Sequence, residues 1–181
     1  MSPLHLLPLA LTLLAGPSDR PFEPTGEVQL LVSGGVGSSA AWDVNRVVGP
    51  SVNMARDERG GWAGSLGSHG TALVVTPTQI SGTGVSLRVE QRDGLLRVEG
   101  LFFSQRVRVE LEPKQLASLL GGCSGELKRV EPGLFSGQIG CLGRGAANQV
   151  SPATLRLTGQ AAGREPPMPQ LAFALLAVLL G

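Results

Sequence analysis

The side chains able to do chemistry are few and scattered in this chain. His69 sits in LGSHGT near Ser65 and Ser68, the residue types a nucleophilic hydrolase uses, but acyl transfer also needs a third group to orient the imidazole. Nothing in the sequence places one there, so His69 reads as a solvated turn histidine. Gly35-Val36-Gly37-Ser38-Ser39-Ala40 fits G-x-G-x-x-A after a strand-like run, with Asp57 about twenty residues on, where an acid would hold a ribose hydroxyl. The segment that would have to be the phosphate-binding helix, AAWDVNRVV, is rich in β-branched residues and runs into Gly49-Pro50. Hairpins rather than βαβ units follow it. A Gly/Ser loop between two strands is expected, with no cofactor. Asp57-Glu58 is followed by Arg59 and reads as a surface turn; the further oxygen ligands of a calcium site cannot be named. No catalytic, cofactor or metal site is assigned.

Cys123 and Cys141 are the two cysteines of the chain. Between them CSGELKRVEPGLFSGQIGC reads as two strands about Pro132-Gly133. A three-residue loop, Glu131 to Gly133, sets Cys123 directly opposite Cys141. A two-residue loop throws the sulfurs onto opposite faces, because side chains alternate along a strand. A disulfide is expected, and with it the three-residue loop. Closing a loop of this size contributes about 3 kcal/mol.

These elements must be held by a scaffold that the composition restricts. The chain has 181 residues, room for one domain, with 26 glycines and 13 prolines, which favours short strands and many turns. Fifteen Lys+Arg stand against fourteen Asp+Glu, a balance without the basic footprint of nucleic-acid or anionic-lipid binding. There is no Tyr, and Trp42 and Trp62 are the only Trp residues, so flat aromatic platforms for sugars are scarce. Residues 1–18 read as a secretory signal peptide: an apolar run from Leu6 to Ala15, then Ala15, Gly16 and Ser18. Residues 19–163 form the Gly-rich antiparallel β domain. Residues 164–181 are a Pro-rich linker and a short apolar C-terminal segment.

Within the body, VSLRVEQRDGLLRVEGLF carries the clearest local signal. Asp93-Gly94 is a favoured two-residue hairpin turn. Pairing Arg92 with Leu95 sets Val89 against Val98 and Val85 against Phe102 on one face. The other face then holds Glu90 against Arg97 and Arg88 against Glu99. Gln105 to Leu111 continues with Val107, Val109 and Leu111 inward, as are Val85, Leu87, Val89 and Val98. The plan recurs. Gly64, Gly100 and Gly137 follow Gly-containing turns and lie 36 and 37 residues apart, with Pro77, Pro113 and Pro152 downstream in matching places. The fold class is therefore all-β: an antiparallel meander of ten to twelve strands closing as a barrel or two-sheet sandwich, built on three hairpin-based repeats. A short helix is expected at Pro113 to Leu120.

The apolar run Leu171 to Gly181 is too short to span a bilayer, which needs about twenty residues. It reads as a short helix or strand sealing an end or face of the β body. The other reading is an anchoring signal, for which Ala161-Ala162-Gly163, a spacer and an apolar tail are the pattern. Functionally, the sequence points to an exported, non-catalytic domain, secreted or in the cell envelope. Its partner is a protein or a small apolar ligand, with membrane association open only through the termini. A carrier of a small apolar ligand in a barrel cavity is the alternative, and an enzyme the third reading.

Overall fold

The computed structural model describes residues 21–35, 37–142, 149–162 and 168–180; the segment 1–18 read as a signal lies outside them. The strands are β1 (Gly26–Val32), β2 (Ser38–Trp42), β3 (Arg46–Gly49), β4 (Val52–Arg56), β5 (Trp62–Leu66), β6 (His69–Thr76) and β7 (Gln79–Gly82). They continue with β8 (Val85–Arg92), β9 (Leu95–Phe102), β10 (Gln105–Leu111), β11 (Gln115–Leu120), β12 (Cys123–Glu131), β13 (Leu134–Cys141) and β14 (Gln149–Gly159). A 3-10 turn, Gln160–Ala162, and a helix, α1 (Gln170–Leu180), follow. Each strand pairs antiparallel with the next, and β14 returns to pair with β1 from Gly26↔Gly159 to Val32↔Ala153. This is a closed barrel, not a sandwich. It has fourteen strands rather than ten to twelve because β3 and β7, of four residues each, are too short to display alternation in the sequence.

Up-and-down order sends successive turns to alternate ends. The start of β1, the turns after β2, β4, β6, β8, β10 and β12, and the end of β14 share one end, here the proximal end. Side chains alternate accordingly. On β8, Val85, Leu87 and Val89 are buried and Ser86 and Arg88 exposed; Val98, Val107, Val109 and Leu111 are buried as well. The register about Asp93-Gly94 is the expected one, with Arg92↔Leu95, Glu90↔Arg97, Val89↔Val98 and Val85↔Phe102. Outside, Arg97 reaches Glu90 at 3.4 Å and Glu110 at 2.5 Å, and Arg108 reaches Glu110 at 2.8 Å. These pairs place charge on the outward face of β8, β9 and β10.

The hydrogen bond from Arg108 holds the Glu110 carboxyl below its usual range, against a smaller opposing effect of burial and with help from Arg97. A lowered carboxyl contributes stability above its unfolded-state pKa, near 4.3, and loses it as pH falls through the folded value. Glu110→Gln should therefore lower stability modestly at pH 7 and by less as pH falls below the usual carboxylate range, read as urea midpoints along a pH series.

Two local expectations are corrected. Residues 115–120 form β11, not a helix, paired on one side with β10 and on the other with β12. Leu116 and Leu120 point inward on a period of two, so two ladders of pairing override the helix preference of Leu and Ala. Cys123 and Cys141 are register partners and are bonded to each other, but the loop between them is the two-residue Pro132-Gly133. A bulge between Arg129 and Glu131 supplies the extra residue that returns the sulfurs to one face. Replacing both cysteines by Ala should lower unfolding free energy by about 3 kcal/mol, measured by denaturant melts, with the far-UV spectrum retained.

The repeat is real in its glycines. Gly64, Gly100 and Gly137 stand opposite Met54, Leu87 and Leu127 on β4, β8 and β12. A Cβ at each would collide with a carbonyl oxygen of the neighbouring strand, from Asn53, Ser86 and Glu126 respectively. Such close backbone approach marks a tight bend in a barrel wall. Pro77 and Pro113 open the turns after β6 and β10, as the repeat requires. Pro152 departs: it lies inside β14 opposite Gln138, where the chain must run straight on to close against β1.

The C-terminal segment lies neither over an end nor on an outer face. Nine of the eleven residues of α1 are buried, on every side of the helix, and a helix lying on the outer wall would keep one side in water. It therefore occupies the lumen. Gln170 binds the Val44 carbonyl in the proximal turn between β2 and β3, and Leu180 approaches Gly67 at the distal end. At 1.5 Å per residue α1 is about 16 Å long, enough to join those turns. It packs on β1 to β5, with Phe173 edge-on to Trp62 at 5.3 Å. Around the rest of the lumen Leu116, Leu127 and Leu155 are each 0% exposed. Apolar side chains fill it.

Candidate functional site

The residues singled out for chemistry are dispersed by the fold. His69 opens β6 rather than lying in the turn, opposite Leu66 at the distal end. Its ring stacks on Phe103 at 3.9 Å and meets Phe102 edge-on; its contacts among the described residues are aromatic, not with Ser65 or Ser68. Gly35 and Gly37 belong to the connection between β1 and β2, and Ser38 to Ala40 are strand, so no helix N-terminus follows the glycines; Val36 lies outside the described residues. Asp57 is at the opposite end of the barrel, where its Oδ1 accepts the amides of Arg59 and Gly61 at 2.9 and 2.8 Å. Among the described residues no three His, Cys, Asp or Glu side chains gather where they could hold a metal ion. Trp42 and Trp62 are 0% and 2% exposed, placed as core rather than as surface platforms. Ala161 is buried beside the barrel, whereas Gly163 and most of the spacer beyond it lie outside the described residues.

What the fold does assemble is a mouth. At the proximal end a cavity of about 660 Å³ opens beside the start of α1, between the turns after β4, β6 and β8. Its floor is apolar, from Trp62, Val75 and Met168; its rim is polar, from Arg56, Gln91 and Gln170. The alternation of β4 explains Arg56. Val52 and Met54 face the lumen, so Arg56, in phase with them and opposite Trp62, faces the mouth. Arg129 stands at the equivalent place in the third repeat, opposite Phe135. Its guanidinium donates to the carbonyls of Pro113 and Glu131 at 3.0 and 3.3 Å. Arg56 has no such bond among the described residues.

No family model, curated protein or solved structure matches the chain. The mouth therefore has to be read from its own chemistry. It has a cation and amide groups over an apolar floor and, among the described residues, no nucleophile with a base and an orienting partner. Such a set could hold a ligand that pairs an apolar part with hydrogen-bonding groups. No helix among the described residues is long and apolar enough to cross a membrane.

None of the mouth residues stood out in the sequence as functional. Arg56 left a trace, as the one charged residue on the apolar phase of VNMAR, and Gln170 left another, as the polar residue heading QLAFALLAVLL. Both are visible only once strand phase and helix position are known.

Proposed function

We propose that this chain is an exported, non-catalytic binding domain, secreted or held in the cell envelope, whose partner engages the proximal mouth. The observation that carries the reading is the lumen. It is occupied by the chain's own helix, which leaves the mouth as a concavity of ligand size that the described residues do not fill. The cross-strand disulfide supports an oxidising compartment, and the apolar run at Leu6 to Ala15 supports export. The reading as a carrier of an apolar ligand deep in the barrel requires α1 to leave the lumen.

Expression of the full chain in a bacterial host, followed by fractionation and intact-mass measurement, tests the export part. The expected product is extracytoplasmic, shortened at the amino end and two hydrogens lighter than its dithiol. Cytoplasmic protein with two free thiols would overturn it. Native mass spectrometry tests the carrier reading: a tightly held lipid, together with protease cleavage within 170–180, would replace the proposal.

A further inference from the structure

We infer that the proximal mouth takes a medium-chain amphiphile whose head carries a carboxylate and an adjacent hydroxyl. This rests on the reading of the mouth as the binding site and names its ligand. The cavity of about 660 Å³ lies within the range of about 300–1,000 Å³ that small-molecule sites occupy, room for a chain of about ten carbons. Trp62, Val75 and Met168 provide an apolar floor for that chain, next to α1. Three features select the head. Arg56 faces the mouth with no carboxylate in ion-pair reach among the described residues. The amides of the first turn of α1, which lack intrahelical acceptors, favour negative charge at the same rim. Gln170, only 7% exposed, donates its Nε2 to the Val44 carbonyl at 2.9 Å, while its Oε1 is buried without a donor among the described residues.

A buried acceptor without a donor and a cation without an ion-pair partner among the described residues line the same cavity, a combination that suits a ligand able both to accept and to donate. A carboxylate supplies the acceptor for Arg56, and a hydroxyl one or two carbons away supplies the donor for Gln170. Asp93 also lines the rim, and Arg92 there is already paired with Glu90 at 2.9 Å. The charge that recognises the head is accordingly that of Arg56.

Calorimetric titration of the full chain with 3-hydroxydecanoate, decanoate and decanol, each below its micelle concentration, tests this. The hydroxy acid should bind most tightly, decanoate several-fold more weakly and decanol at least tenfold more weakly. Arg56→Gln should lower affinity for both acids about tenfold, the size of a lost charge-assisted bond, and leave decanol unchanged. Arg129→Gln, at the same place in the repeat, should change neither. Circular dichroism of each variant confirms folding, and Arg56→Lys, which keeps the charge, should recover part of the loss if Arg56→Gln is poorly folded. Equal binding of decanol and the acids, or acid binding indifferent to Arg56, would overturn the inference while leaving a binding mouth in place. No binding of any of the three would overturn it too, and export and the disulfide would still be decided separately by the product mass.

Discussion

A chain ending at Arg164, and so lacking α1, is expected to lose its cooperative melting transition and to bind a hydrophobic dye. Leu171, Phe173, Leu175, Leu176 and Val178 are at most 2% exposed. Burying such side chains contributes roughly 1.5–3 kcal/mol each, so the five together offer about 10 kcal/mol before the cost of ordering the helix. Whole domains are stable by only about 5–15 kcal/mol. Without α1, the lumen would also have to hold water against the inward faces of β1 to β5. Phe173→Ala is the graded form of the experiment. It leaves a hole against Trp62 and should cost about 3–5 kcal/mol. A truncated chain melting at the temperature of the full one would show that the helix is not part of the core.

Gly100→Ala is expected to be nearly as damaging although it adds a single carbon. Gly100 has φ of 146°, a backbone conformation that side chains rarely adopt, and the new Cβ would run into the Ser86 carbonyl oxygen. Strain of about 1–3 kcal/mol from the dihedral adds to a clash that only a shift of β8 can relieve, so the total should reach at least about 3 kcal/mol. Gly137 provides a comparison within the same protein, since it faces a similar carbonyl, that of Glu126, without the unusual φ; Gly137→Ala should cost less. Gly34, with φ of 77° and open space about it, isolates the dihedral alone, and Gly34→Ala should cost about 1–2 kcal/mol. Chemical denaturation of the three variants would rank them. An order with Gly34→Ala worst would refute the account of the bends.

Those bends illustrate what was legible in the sequence. Alternation and turn chemistry act over a few residues, so the Asp93-Gly94 hairpin and the inward set from Val85 to Leu111 could be read directly. The spacing of Gly64, Gly100 and Gly137 was visible too, but not their purpose, because the carbonyl each one avoids belongs to another strand. Register around Pro132-Gly133 needed the bulge before Glu131, which no local rule announces. Residues 115–120 were ambiguous because six residues containing Leu and Ala suit either state until two neighbouring strands claim them. The mouth was least legible. Arg56, Trp62 and Gln170 come from β4, β5 and α1, and only closure of the barrel brings them to one rim.

That closure also governs how the protein must come to be folded. Thirteen of the strand pairings join neighbours along the chain, but β1 and β14 are separated by the whole domain. Hairpins such as β8–β9 form in about 1–10 microseconds, whereas the joining of β1 to β14 pays the loop entropy of the entire intervening chain before any contact offsets it. Until it happens, the meander carries two raw edges able to pair with other copies; afterwards it carries none. The hazardous period of this protein's life is thus confined to the interval before its first and last strands meet, and dilution or a chaperone during that interval should raise yield far more than any change to the finished barrel.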